Sequence, residues 1–195
     1  MKTMIRPQKG PQECFLATPA DIAIFGGAAG GGKTFSLLLS PLRYKNVNDF
    51  SCTIFRKNFN QIFSQGGLWS EAEKMYRQIP GAVKKYGDAA WVFCDKDGRQ
   101  LSKVDFKHIE RYDEVHKFQG AQIAEICFDE LIHFDRQTFF YMLSRNRSTC
   151  GVKPFVRATC NPDAGSWVAE FIDWWIDQET GYPAEVRKLL PGRRS

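Results

Sequence analysis

Nowhere in this 195-residue sequence do about 18 apolar residues run together, which excludes a membrane-spanning helix of ordinary length. Residues 1–12 carry basic side chains but no apolar core, so they do not read as a secretory signal. Cys-x-x-Cys is absent. The six cysteines (Cys14, Cys52, Cys94, Cys127, Cys150 and Cys160) match no zinc-ligand spacing. The three histidines, His108, His116 and His133, are scattered and form no ligand set. No sign of charge dominates either: 27 Lys+Arg against 22 Asp+Glu leave a net +5, compatible with a polyanionic partner without requiring one. Repeats, low-complexity tracts and linkers are missing, so one domain over 1–195 is expected, with an N-terminal arm at 1–19 and a basic tail at 180–195. What remains is ordinary globular composition, 43% hydrophobic, 14% aromatic and 25% charged. A chain of this length buries about 70% of its unfolded surface. Cys52, in Ser51-Cys52-Thr53-Ile54-Phe55, and Cys127, in Ile126-Cys127-Phe128, read as small buried thiols of a reducing compartment.

Apolar periodicity lays out the elements. Residues 20–25 form a short apolar run ending in glycines, a buried strand, and 34–39 carry Phe35, Leu38 and Leu39 at helical spacing. Pro41 should end that helix early. Residues 52–55 read as a second strand. Leu68, Trp69, Ala72, Met75, Tyr76 and Ile79 mark an amphipathic helix, with Ser70 and Glu73 at capping-box spacing. Residues 91–94 and 104–109 flank Asp97-Gly98 as a hairpin would. Further strands are expected at 123–128 and 155–159, and helices at 136–143 and 167–176, where the Trp174-Trp175 pair serves packing. Strands alternating with helices make an α/β protein with a mostly parallel sheet.

Gly27-Ala28-Ala29-Gly30-Gly31-Gly32-Lys33-Thr34 satisfies G-x-x-x-x-G-K-[ST], and it lies between an apolar strand and a helix. Glycines let successive backbone N–H groups turn inward around phosphate oxygens, and the helix adds its positive end. Lys33 offers a mobile cation to the β- and γ-phosphates, and Thr34 offers a hydroxyl to Mg²⁺. The run Ile123-Ala124-Glu125-Ile126-Cys127-Phe128-Asp129-Glu130 ends a buried strand on two acids. Asp129 is placed to hold Mg²⁺, and Glu130 to polarise an attacking water.

Further candidates lie outside these two motifs. Asn161, in Thr159-Cys160-Asn161-Pro162, follows a strand and would sit on the nucleotide's edge of the sheet, although Asn-Pro is also a common turn pair. Gln12 precedes the glycine loop by about a strand and a turn and could read an adenine edge. Arg56, Arg145 and Arg147 are planar cations suited to charge stabilisation in phosphoryl transfer, with Lys117 as a fourth. For each of these four cations, a solvated surface charge is the competing reading.

Taken in order, Gly26 to Thr34, Phe55-Arg56-Lys57, Phe118-Gln119-Gly120, Phe128-Asp129-Glu130, Leu143-Ser144-Arg145-Asn146-Arg147 and Thr159-Cys160-Asn161-Pro162 carry a resemblance. The chain resembles the ATPase domain of the large terminase subunit of tailed bacteriophages over roughly residues 11–178. That resemblance implies a P-loop NTPase of the additional-strand (ASCE, RecA-like) type, a three-layer sandwich around a mostly parallel sheet. It implies ATP and Mg²⁺ as cofactors and an ATP hydrolase driving double-stranded DNA, whatever its sequence, into a procapsid. A capsid portal, a small terminase subunit and a homo-oligomeric ring would be the partners, in the host cytoplasm. Carried over by position, Gln12 contacts adenine, residues 27–34 hold phosphate, Asp129 and Thr34 hold Mg²⁺, and Glu130 activates water. Residues 159–162 correspond to the coupling motif, and one of Arg56, Lys117, Arg145 and Arg147 would act from a neighbouring subunit. Large terminases continue into an RNase H-like nuclease, so no nuclease activity is expected from these 195 residues. Two other readings stay open: a P-loop kinase, and a nucleotide-binding assembly module with negligible turnover as a monomer.

Overall fold

Seven strands lie in one sheet in the order β1-β7-β6-β2-β5-β4-β3, as seen in a computed structural model that describes residues 5–28, 30–161 and 163–176, the Trp174 side chain apart. Ala29, Pro162 and the basic tail at 180–195 lie outside the described residues. The first five strands of that order are mutually parallel: β1 (Ile22–Gly26), β7 (Phe155–Cys160), β6 (Glu125–Phe128), β2 (Phe50–Arg56) and β5 (Gln100–His108). β4 (Ala90–Cys94) and β3 (Ala82–Lys85) add an antiparallel flank. Every position of β6 and β7 is buried, as expected of central parallel strands covered on both faces.

Alternation along β2 separates two cores. Cys52 and Ile54 enter one with Leu37, Leu38, Trp69 and Tyr76, which come from α2 (Lys33–Leu39) and α4 (Leu68–Tyr76). Phe55 enters the other with Phe139 of α5 (Arg136–Leu143) and Val168 of α6 (Trp167–Ile172). Three layers result, the architecture the sequence analysis anticipates. Tyr76 ties its layer together by donating its hydroxyl to the Leu38 carbonyl at 2.8 Å.

Local expectations meet mixed outcomes. α2 stops at Leu39, and the chain goes on as a 3-10 turn over Ser40–Tyr44 with Pro41 inside it. The hairpin forms, its turn held by the Asp95 carboxylate accepting from the Asp97 and Arg99 N–H groups at 3.0 and 2.9 Å. The capping box at Ser70 does not form. α4 begins two residues earlier behind Gly67, where a Cβ would come within 2.8–2.9 Å of the Gln61, Ile62 and Ser64 carbonyls. Glu73 instead pairs with Arg77 and with Lys84. α6 ends at Ile172 and passes into a 3-10 turn at Asp173–Trp175, shorter than expected. Two short helices, α1 (Pro11–Ala17) and α3 (Phe59–Phe63), and strand β3 carry no sequence expectation. Of the cysteines, Cys52 and Cys127 are buried as expected and Cys160 is buried too, whereas Cys14 is exposed. Among the described residues no helix is long and apolar enough to cross a membrane.

Candidate functional site

The carboxyl ends of β1, β6 and β7 open on a cavity of about 580 Å³ lined by Gly30 to Phe35, Asp129, Glu130, Thr159 and Asn161, with Ile5, Arg6 and the α4 side of Glu71, Lys74 and Met75 opposite. A crevice outside the carboxyl ends of parallel strands is where ligands bind in open α/β sheets. The glycine loop needs its glycines. Gly30 and Gly32 adopt φ of +81° and +67°, and a Cβ on Gly32 would lie 2.2 Å from the Gln12 side-chain nitrogen.

That proximity defines what Gln12 does. It is 4% exposed; its amide nitrogen faces the Gly32 carbonyl at 3.5 Å and its oxygen accepts from the Gln8 N–H at 2.9 Å. α1 thus props the glycine loop from behind. Gln12 itself is not among the residues lining the cavity, whereas Ile5 and Arg6 are.

Lys33 lies across the loop, its ammonium donating to the Gly27 and Ala28 carbonyls at 2.7 Å each. Thr34 Oγ1 stands 3.4 Å from both oxygens of Asp129, too long for firm O–H···O bonds. Asp129 is buried, and its charge is met by Arg56 Nε at 2.8 Å, Arg56 Nη2 at 2.7 Å and the Thr159 hydroxyl at 2.6 Å. Arg56 reaches the second acid as well: its Nη1 is 2.8 Å from Glu130. Glu130 also receives His133 Nδ1 at 3.0 Å, and its N–H donates to the Thr159 hydroxyl at 3.2 Å. Its φ is +61°, a left-handed conformation costing a non-glycine residue about 1–2 kcal/mol. This turn breaks the strand alternation and aims Glu130 at the cavity rather than into the core.

Lys33, Thr34, Asp129, Glu130 and Asn161 are therefore brought together, with Arg56 holding both acids. Arg145 and Arg147 are not. They flank Asn146 at the amino end of β6, where Ile123 N donates to the Arg145 carbonyl and Arg147 N to the Ile123 carbonyl, both at 3.1 Å. Asp129 is at the strand's other end, roughly 20 Å away at about 3.3 Å per residue. The Arg145 guanidinium lies over the Tyr141 ring at 5.6 Å. Neither arginine reaches this chain's own cavity because its backbone is tied to the opposite edge of the sheet. Lys117 is likewise remote, paired with Glu114 at 2.7 Å. The Thr159 hydroxyl, shared by Asp129 and Glu130, and His133 carry no sequence expectation; the three-residue step from Glu130 to His133 was the one visible hint.

Comparison with known proteins agrees with this fold. The chain is similar in fold to the large terminase of a thermophilic bacteriophage, with a TM-score of 0.69 and 17% identity over 91% of this chain and 45% of that one. The HK97 bacteriophage large terminase matches with a TM-score of 0.64 and 13% identity, covering 86% of this chain and 36% of that one. The Thermus phage P74-26 large terminase ATPase domain matches with a TM-score of 0.58 and 11% identity over 89% and 71% of the two chains. This chain thus spans less than half the length of the first two of these proteins. No curated protein is detectably similar to it in sequence. Residues 24–189, however, match the model of one protein family, so the chain belongs to the terminase large subunit family, T4likevirus-type, of which it carries the N-terminal part.

Proposed function

We propose that this chain is the ATP-hydrolysing part of a DNA-packaging motor. One observation carries the reading: a glycine loop with its lysine and threonine, two acids at a strand end and an asparagine at the next strand end all face one cavity. The large terminase of the thermophilic bacteriophage has been solved with ATP-gamma-S and with ADP, which supports a nucleotide as the occupant here.

In this reading Lys33 exchanges its loop carbonyls for phosphate oxygens, and the inward N–H groups of residues 30–34 take the rest of the phosphate charge. Thr34 and Asp129 present oxygens 3.4 Å apart, a donor set suited to Mg²⁺. Bound there, Mg²⁺ would neutralise charge on the β- and γ-phosphates. Glu130 accepts a proton from the attacking water, and Asn161 faces the same space from β7. Arg56 holds Asp129 and Glu130 together before nucleotide binds. The Arg56 and His133 contacts both fall on Oε2 of Glu130, so its other oxygen is the one offered to water. Arg145 and Arg147, far from their own cavity, are offered as the groups that complete a neighbour's site in a ring. Double-stranded DNA, gripped through its phosphates, a capsid portal and a small terminase subunit are the proposed partners.

ATP turnover by Glu130→Gln tests the reading. Turnover should fall by about 10²–10⁴-fold while nucleotide affinity in calorimetry holds. Unchanged turnover would remove Glu130 from the mechanism. A second reading, a nucleotide-binding module nearly inert as a monomer, is favoured by the Arg56 grip on both acids. Turnover per subunit that stays undetectable at every protein concentration would establish it; a steep rise on assembly would support the ring.

A further inference from the structure

The strand that carries the two acids also buries a third where an apolar residue would be expected. Glu125 opens β6, is fully buried, and its Oε2 is without a hydrogen-bond partner. An unpartnered buried carboxylate oxygen is costly. Two cysteines share its face of the sheet. Cys127 is two residues on, and Cys52 is the register partner of Glu125 across β2. Cys52 Sγ lies 3.8 Å from Cys127 Sγ, and Cys127 Sγ lies 3.5 Å from Glu125 Oε1. All three donor atoms fall within 4.8 Å of one another, and all three residues are buried.

Those spacings have a chemical meaning. A tetrahedral Zn²⁺ with Zn–S of about 2.3 Å and Zn–O of about 2.0 Å sets its sulfurs about 3.8 Å apart and sulfur from oxygen about 3.5 Å apart. Two thiolates rule out the hard cations Mg²⁺ and Ca²⁺ and select a softer divalent ion. Ser40, just beyond α2, brings a hydroxyl beside Glu125 as a further oxygen. The surrounding field suits an anionic cluster: Arg157, 4% exposed, and Arg43 both act electrostatically on Glu125.

We propose that Cys52, Glu125 and Cys127 form a binding site for one zinc-like divalent cation, bracing β2 against β6 beneath the nucleotide cavity. Cys127 is two residues from Asp129 on the same face, so the ion would sit about 7 Å below it along the strand. Loading is an exchange that balances: two thiols and one carboxylic acid release three protons, and the cation takes their place, leaving one net negative charge beside two guanidinium groups. Uptake should therefore be proton-coupled and weaken sharply as pH falls. Sequence spacing shows none of this, because Cys52 reaches the site from a neighbouring strand.

Burial also dictates the experiment. The full chain is unfolded with a chelator, refolded with Zn²⁺ or Co²⁺, and dialysed. The site predicts one zinc per chain by elemental mass spectrometry, thiolate-to-cobalt charge-transfer absorption, and a raised melting temperature. Cys127→Ala should abolish the cobalt band, and Glu125→Gln should weaken uptake by about tenfold or more. Cys14→Ser, which alters an exposed cysteine, should leave both readouts unchanged. Zinc well below one per chain, a cobalt spectrum without thiolate character, or loss of uptake in Cys14→Ser with retention in Cys127→Ala would overturn the proposal. If Cys127→Ala does not fold, Glu125→Gln carries the same decision.

Discussion

Replacing Thr159 by valine keeps the shape of a fully buried side chain and removes one hydroxyl, and that hydroxyl joins three elements of the site. It donates to Asp129 at 2.6 Å and accepts from the Glu130 N–H at 3.2 Å. A hydrogen bond to a charged group is worth about 1.5–3 kcal/mol, and a buried N–H left without a partner costs about 1 kcal/mol more. Asp129 keeps its two bonds to Arg56, which sets the expectation at about 3 kcal/mol of lost stability rather than the cost of an unpaired charge. With a urea dependence of roughly 2 kcal/mol per molar, the unfolding midpoint should fall by about 1.5 M. Thr159→Ser is the control. It keeps the hydroxyl and deletes one methyl, at about 0.8 kcal/mol. Urea unfolding followed by circular dichroism on all three proteins separates the two effects. If Thr159→Val lies within about 0.5 kcal/mol of the parent, or if serine damages as much as valine, the hydroxyl does not organise the acidic pair as described.

Gly32→Ala should weaken nucleotide binding and cost about 1–2 kcal/mol, because φ is +67° and the new methyl would displace the Gln12 amide; calorimetry with ATP and a thermal melt check both. The two N–H groups of the Asn146 amide are spread over three carbonyls, those of Ile123, Ala124 and Phe155 at 2.9–3.2 Å, so Asn146→Ala should cost about 2–3 kcal/mol in urea unfolding. Acid stability should carry the mark of Glu114. The Lys117 ammonium and the Glu110 and Arg111 N–H groups hold its carboxyl down at about 2. A lowered carboxyl stabilises the folded state above its unfolded value near 4.5, and that contribution is lost as pH falls from there towards 2. Glu114→Gln should therefore flatten the stability profile between those limits, as melting temperatures taken across that range will show.

How much of this was legible in the sequence depended on the range of the interactions. The glycine loop, the acidic strand end and the early stop at Pro41 are written in consecutive residues, and all three are found where the local pattern puts them. The hairpin is equally local. The capping box at Ser70 misleads because the decisive residue is Gly67, whose fit depends on carbonyls of the preceding helix and turn. Arg56 was visible as a candidate cation. Its grip on Asp129 and Glu130 was not, since those partners lie 73 and 74 positions away and meet it only through the β2–β6 pairing. For Arg145 and Arg147 residue type suggested a role at phosphate without saying whose: the Ile123 backbone bonds place them at the far edge of their own sheet, and a neighbour's site lies outside a single chain.

The pairing of β1 has a consequence for the order in which the molecule is made. β1 leads directly into the glycine loop, yet its register partner is β7, from Ile22 opposite Val156 to Gly26 opposite Cys160. That is a separation of roughly 130 residues, the kind of non-local closure that slows folding. On a ribosome adding about 5–20 residues per second, β1 waits on the order of 10 s for the strand it needs. The central strands β2 and β5 can meet sooner, because only about 50 residues separate them. The glycine loop is thus synthesised long before its strand can gain β7 as a neighbour, so the cavity it lines should be completed late in folding.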